Sequence, residues 1–341
     1  MHIIVGIIAA LIIFAILVIV HEGGHFFAAK AVGIRVNEFA LGMGPLIFQR
    51  QTKETKYSVR AFPIGGYVAM EGEDSDSDDA RAFNNKPAWA RAVVIVAGPL
   101  MNFILAGVVL GAMITYMGTS LSPVLADVTQ GMPAYEAGIR EGDRIVSVNG
   151  EEASDGTKAQ RLLSEALAEA DSVSVGIESD SGTQELQVIA EEDQEGNRLI
   201  GVTFGVHHNV LKGMADGFRA SVNAEKLMLQ ALGDIFTGQG AAEDVVGPIG
   251  IVSMVDQTVQ VGMMNVIYLL ALLSLNLALV NLLPFPALDG GRLLFIVIRK
   301  ITGKAVSDEL EGKIHLIGMA VLFSLMILIT VKDFNMFILG S

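Results

Sequence analysis

Four runs of apolar residues, at 3–20, 92–117, 263–283 and 314–331, are each long enough, or nearly so, to cross a bilayer as a helix. They constrain the fold more than anything else in the chain, because backbone in hydrocarbon must satisfy its own hydrogen bonds and is therefore helical across each run. Composition agrees: 52% of the 341 residues are hydrophobic, and they are concentrated in blocks. A formal net charge of -14 repels phosphate and argues against nucleic acid as a partner. Cysteine is absent, so any metal must be held by His, Asp or Glu, a donor set that suits zinc with one open position. No Lys or Arg precedes Lys30, so the basic start of a cleavable signal peptide is missing and the first run reads as a retained span.

Charge sets the expected orientation. Nine basic residues, from Lys30 to Arg91, lie between the first two runs, and Arg292, Arg299, Lys300 and Lys304 lie between the last two, with Lys313 at the boundary. The intervening 118–262 segment has only eight. Positive-inside bias places both short loops in the cytoplasm, and the long acidic segment and both termini outside.

At the end of the first run stands His21-Glu22-Gly23-Gly24-His25, an HExxH motif. Residues four apart share a helix face, so the two imidazoles can grip one metal ion while Glu22 handles the proton of an activated water. The ordinary alternative, polar residues at the wet end of a helix, suits a soluble surface better than a membrane boundary, where ionisable groups are rare. The first and third runs both descend from outside to inside, so Asp289, in NLLPFPALDGGR just after the third, arrives at the depth of His21 and His25. An isolated carboxylate there is costly and a metal would neutralise it, which favours a ligand over a turn-capping Asp. His207, His208 and His315 are metal candidates only in principle; His315 reads as an interfacial residue beside Lys313.

Between the first two runs, YSVRAFPIGGYVAM at 57–70 alternates like strand, broken by Pro63 and Gly65-Gly66. A β-hairpin or small sheet dipping toward the metal site is expected, since irregular backbone is tolerated at depth where it lines a cavity. The acidic stretch at 71–79 reads as a solvated loop. Gly98-Pro99 and Asn102 in the second run suggest a kink and an interhelical hydrogen bond. In the outer segment, a strand at 145–148 closed by Asn149-Gly150, a helix at 159–170, and strands at 172–178, 185–189 and 200–204 make a compact α+β module. Residues 210–236 suggest an amphipathic helix on the outer membrane surface. Gly247-Pro248-Ile249-Gly250-Ile251 reads as a break before the third span.

With these segments assembled, the chain resembles the site-2 protease family of intramembrane zinc metalloproteases, of the bacterial regulator-of-sigma-E type. The resemblance rests on HEGGHFFAAK, FPIGGYVAM, AGPLMNF, GMPAYEAGIREGDRIVSVNG, GPIGI and NLLPFPALDGGRL, and covers nearly the whole chain. Gly23 stands where many relatives have Leu, and one PDZ-type segment is present where the best-known Gram-negative relatives have two. The resemblance implies a polytopic α-helical membrane protein of four transmembrane helices, with a membrane-associated β-hairpin or sheet and an inserted α+β PDZ-like domain. It divides the chain into a first membrane part (1–117), the PDZ-like domain outside the membrane (118–206), an amphipathic surface helix with linker (207–261) and a second membrane part (262–341).

The resemblance further implies one Zn2+ per chain on His21, His25 and Asp289, with Glu22 as catalytic base. Asn276 and Asn281 would orient the substrate strand, and Gly65, Gly66, Tyr67 and Val68 would pair with it. By spacing alone Asn276 and Asn281 are not same-face neighbours, and interhelical hydrogen bonding explains them equally well. The implied activity is cleavage of transmembrane segments of single-span membrane proteins, anti-sigma factors or remnant signal peptides, in a bacterial cytoplasmic membrane with the active site toward the cytoplasm. A membrane scaffold whose PDZ-type module recruits peptides and whose metal site is vestigial is the competing class. A transporter is disfavoured by two unlike halves and no internal repeat.

Overall fold

A computed structural model describes residues 2–73, 77–179, 181–193, 196–238, 246–303 and 308–334. Positions 74–76 of the acidic loop and the basic residue Lys304 therefore lie outside the described residues. The chain divides into two compact units, one formed by Met1–Leu110 with Gly217–Ser341 and the other by Gly111–Asp216.

The first unit opens with α1 (His2–Ala31), which runs past the apolar stretch and through the whole HExxH motif. Its outward residues Ile4, Val5, Ile8 and Ile12 are exposed, as expected of a helix that meets lipid rather than water. Then come β1 (Val36–Gln51), β2 (Lys56–Met70) and α2 (Ala88–Met117). The two strands are bent: Phe39 stands across from both Val68 and Tyr57, and Ala40 from both Tyr67 and Ser58. The first half of β1 thus lies between the two halves of β2, a small sheet rather than a simple hairpin. Val36, Val68 and Met70 of this sheet share one buried cluster with Ala29 of α1 and Val94 and Ile95 of α2. α2 carries Pro99 in its interior, and at its crossing with α1 the backbone of Gly24 lies directly on that of Ala97. Small residues at such crossings let membrane helices approach closely.

The second unit contains β3 (Ser120–Val128), α3 (Pro133–Glu136), β4 (Arg144–Val148), β5 (Glu151–Glu152), α4 (Gly156–Glu169), β6 (Ser172–Ser179), β7 (Gly182–Ile189), β8 (Glu191–Glu192), β9 (Arg198–Leu199) and β10 (Val202–His207). Its main sheet runs β10-β3-β4-β6-β7, with β5 paired to β4. Asn149 and Gly150 both take positive φ, 46° and 78°, the requirement of a tight Asn-Gly turn. The Asp155 side chain accepts the Lys158 N–H and caps α4, a contact worth about 1 kcal/mol. Leu162 and Leu163 of α4 pack on Leu125, Ile145 and Val175 of the sheet.

The chain continues through α5 (Val210–Thr237), α6 (Pro248–Val261), α7 (Met263–Leu282), α8 (Asp289–Thr302) and α9 (Asp308–Phe334). Among the described residues, four helices, Ile4–Ala31, Ala88–Met117, Met263–Leu282 and Leu310–Phe334, have the length and composition to cross a membrane. One segment differs from the sequence expectation. GPIGI does not break the chain but opens α6: Pro248 sits where a helix needs no N–H, and Asp333 Oδ2 accepts the N–H groups of Gly247 and Gly250 at 3.0 and 2.8 Å. Asp289, Gly290 and Gly291 form the first turn of α8, which is closed at its far end by Gly303 in the left-handed region at φ 65°.

Candidate metal centre

His21 and His25 project one turn apart from α1, each only 8% exposed. Asp289 reaches them from the start of α8, and the loop before it explains how. Ala287 holds φ at 79°, a conformation that costs a residue with a Cβ about 1–2 kcal/mol. Gly290 and Gly291 lie directly against the carbonyl oxygens of Leu283 and Phe285, where any side chain would overlap them. From α9, His315 Nδ1 accepts the Ala287 N–H at 2.9 Å, and Gly318 packs on Pro286. His315 is therefore a support of this loop. Arg292, one turn after Asp289, forms an ion pair with Glu73.

The three side chains meet in a triangle. His21 Nε2 lies 3.1 Å from Asp289 Oδ2, His25 Nε2 lies 3.4 Å from the same oxygen, and the two nitrogens are 3.2 Å apart. Four donors held about 2.0–2.1 Å from a central zinc ion are separated by roughly 3.3 Å along each tetrahedron edge. The triangle thus has the dimensions of one tetrahedral face. Its chemistry fits as well. With His25 neutral, its Nδ1–H donates to the Val94 carbonyl at 2.8 Å, so Nε2 offers a bare lone pair to the triangle. Asp289 Oδ2 is buried, and its polar neighbours at the triangle are the two imidazole nitrogens. Converging acceptors of this kind are stable when a cation lies between them. Among the described residues, these three form the one group of His, Asp and Glu placed to hold a metal.

Glu22 is half-buried beside the triangle, and the sheet reaches it: a Cβ on Gly66 would stand 3.2 Å from Glu22 Cγ and 2.9 Å from Val18 Cγ1. Gly65 is left-handed at φ 77°, and Val68 is buried. Tyr67 accepts a hydrogen bond from Arg60 at 2.6 Å. The same guanidinium pairs with Glu38 at 2.9 Å. Burial pushes the Glu38 carboxyl up, but the Ser58 hydroxyl and Arg60 that donate to it hold it below the ordinary carboxylate range. Asn276 is exposed on α7 and Asn281 half-buried near its end; neither belongs to the triangle. His207 and His208 lie in the other unit, where His208 Nδ1 donates to the Thr115 carbonyl at 2.7 Å.

The structure also places residues whose part in the site the sequence did not reveal. Asn102, fully buried, lies 3.2 Å from His21 Nδ1, and Gly98 lies against the His25 ring. The spacing of Val94, Gly98 and Asn102, four residues apart on one face of α2, was the available signal.

Membrane-length helices that enclose a paired-imidazole and carboxylate triangle, with a glutamate beside it, define a membrane-embedded metallohydrolase. Comparison with known proteins makes the class specific: the model of peptidase family M50 matches residues 9–325. A Clostridium acetobutylicum protein provisionally named a zinc metalloprotease is 36% identical, over 96% of this chain and 97% of that one. The regulator of sigma-W protease RasP of Bacillus subtilis is 32% identical over 96% and 97%, and the zinc metalloprotease RasP of Shouchella clausii 32% over 96% and 98%. The PDZ domain of an SdrC-like protein from Listeria monocytogenes covers 24% of this chain and 86% of its own, at 17% identity and a TM-score of 0.22. The chain belongs to peptidase family M50, the site-2 proteases, and is a zinc metalloprotease of that family.

Proposed function

We propose that the protein cleaves single-span membrane proteins, such as anti-sigma factors or remnant signal peptides, within their transmembrane segments. The observation that carries this is the triangle of His21, His25 and Asp289 at the edge lengths of a tetrahedral face. In this proposal the three residues hold one zinc ion per chain, which supplies Lewis acidity for activating water near neutral pH and polarising a carbonyl. Glu22 takes the proton of the attacking water and returns it to the leaving nitrogen. Its place beside the triangle suits that task.

A transmembrane helix hides its carbonyls in its own hydrogen bonds, so the substrate must unwind to be cut. Among the described residues, the half of β2 that contains Gly66, Tyr67 and Val68 pairs on one side only, with the first half of β1. Its free side supports strand addition by the unwound substrate, which replaces the lost helical partners. Gly65 sits at the bend into that edge, and Asn276 and Asn281 are assigned to orienting the same strand. The charge bias of the loops supports a bacterial cytoplasmic-membrane orientation with both termini and the 118–206 domain outside, and a metal site toward the cytoplasm. In this orientation the outer domain selects substrates before they reach the sheet.

The test is Glu22→Gln in the full chain, reconstituted in vesicles with a panel of single-span substrates. Retained zinc with cleavage abolished supports the assignment. Undiminished cleavage removes Glu22 from the role of base.

A further inference from the structure

Both imidazoles of the triangle are backed by one face of α2. Val94 gives its carbonyl to His25 Nδ1–H, and one turn on, Gly98 leaves room for the His25 ring. A further turn along, the Asn102 side chain faces His21 Nδ1 at 3.2 Å. Asn102 thus stands to His21 as the Val94 carbonyl stands to His25. Its own turn of helix is anchored, because Ser274 of α7 donates to the Asn102 backbone carbonyl at 2.7 Å, with both residues fully buried.

The orientation of the amide decides what this contact does. As placed, the amide nitrogen faces His21 Nδ1, and Asn102 Oδ1 is buried with no hydrogen-bond partner. The nitrogen and oxygen of a carboxamide are interchangeable in shape, and their assignment follows from the protons around them. A nitrogen facing Nδ1 requires the His21 proton to sit on Nε2, inside the triangle. An imidazole that offers Nε2 to a metal carries its proton on Nδ1 instead, and the partner there must be an acceptor.

We propose that Asn102 is a positioning residue for His21: its side-chain oxygen accepts the Nδ1 proton, fixing ring and tautomer so that Nε2 faces the metal. The inference rests on the zinc site of the proposed function. It adds that α2 supplies an acceptor to each imidazole, a main-chain carbonyl for one and a carboxamide for the other.

Two substitutions in the full chain separate acceptance from donation and from mere packing. Asn102→Leu keeps most of the volume and removes the acceptor; zinc affinity, measured by chelator competition, falls about ten- to a hundred-fold, the usual effect of losing a ligand's hydrogen-bond partner. Asn102→Asp offers only acceptors and holds zinc as tightly as the parent, or more so. The cobalt-loaded Asp variant gives the parent's absorption spectrum, and the cobalt-loaded Leu variant a shifted one. Unchanged affinity in the Leu variant, or equal loss in both, overturns the proposal. Should neither variant fold, histidine ring nitrogen resonances of the zinc-loaded parent decide. A protonated, hydrogen-bonded His21 Nδ1 supports the proposal, and a proton-free or water-exchanging Nδ1 overturns it. A parent chain that binds no zinc refutes the metal site itself, an outcome distinct from either.

Discussion

Asp289 Oδ2 lies 3.1 Å from His21 Nε2, although one residue belongs to the first helix and the other follows the third membrane-length helix. A carboxylate from late in the chain and imidazoles from its start are brought together by the left-handed Ala287, the side-chain-free Gly290 and Gly291, and the supports from α9. On the proposed zinc site, removing the carboxylate removes a ligand and leaves most of the scaffold. Asp289→Ala is expected to weaken zinc binding by more than about a hundred-fold, beyond the range of changes to a ligand's hydrogen-bond partner. Zinc per chain after dialysis against a chelator measures this.

The adjacent glycines of the motif should respond oppositely to alanine. A Cβ at Gly23 meets only Phe27, at 3.9 Å, so Gly23→Ala gains helix propensity and stabilises by roughly 0.5–1 kcal/mol. At Gly24 the same methyl overlaps the Ala97 backbone, and Gly24→Ala costs about 1–3 kcal/mol by forcing α1 and α2 apart. Thermal unfolding in one detergent compares the two, and a stabilised Gly24→Ala contradicts the close crossing.

Support of the ligand loop by α9 is testable at His315. His315→Leu removes the acceptor of the Ala287 N–H, at a cost of about 1–3 kcal/mol if that donor stays buried. Thermal stability and zinc affinity should fall together. Unchanged zinc affinity in a folded variant shows that the loop holds Asp289 without this bond.

The sheet edge gives a prediction on turnover rather than on metal. Gly66→Ala presses on the Ala40 carbonyl, Val18 and Glu22 Cγ, the atoms nearest to the added methyl. If Glu22 is the base, as proposed, cleavage should drop by roughly ten-fold or more, since small displacements of a catalytic group are costly, with zinc content unchanged. Equal loss of zinc and activity shows instead that the sheet supports the metal site itself.

The membrane-length helices were legible because hydrocarbon leaves a backbone one option, and the histidine pair because four-residue spacing forces a shared face. The Asn149-Gly150 turn and α4 were legible for equally local reasons. Contacts set by tertiary structure were not. Nothing local tells that Phe39 will face both Tyr57 and Val68, or that GPIGI opens a helix capped by Asp333 from the far end of the chain. The support that His315 gives the loop could not be read, because its partner, the Ala287 N–H, comes into reach only once α9 packs there. Asn102 carried the right spacing from Gly98, but its partner on α1 could not be read from α2 alone.

X-ray absorption at the zinc edge, on the purified full chain and on Asp289→Ala, reads the metal's ligands without reference to turnover. One zinc per chain is expected, with two imidazole nitrogens and a carboxylate oxygen at about 2.0–2.2 Å, and a signal lost or rearranged in the variant. A zinc shell that is the same in both proteins, or that contains no imidazole, contradicts a metal held by His21, His25 and Asp289.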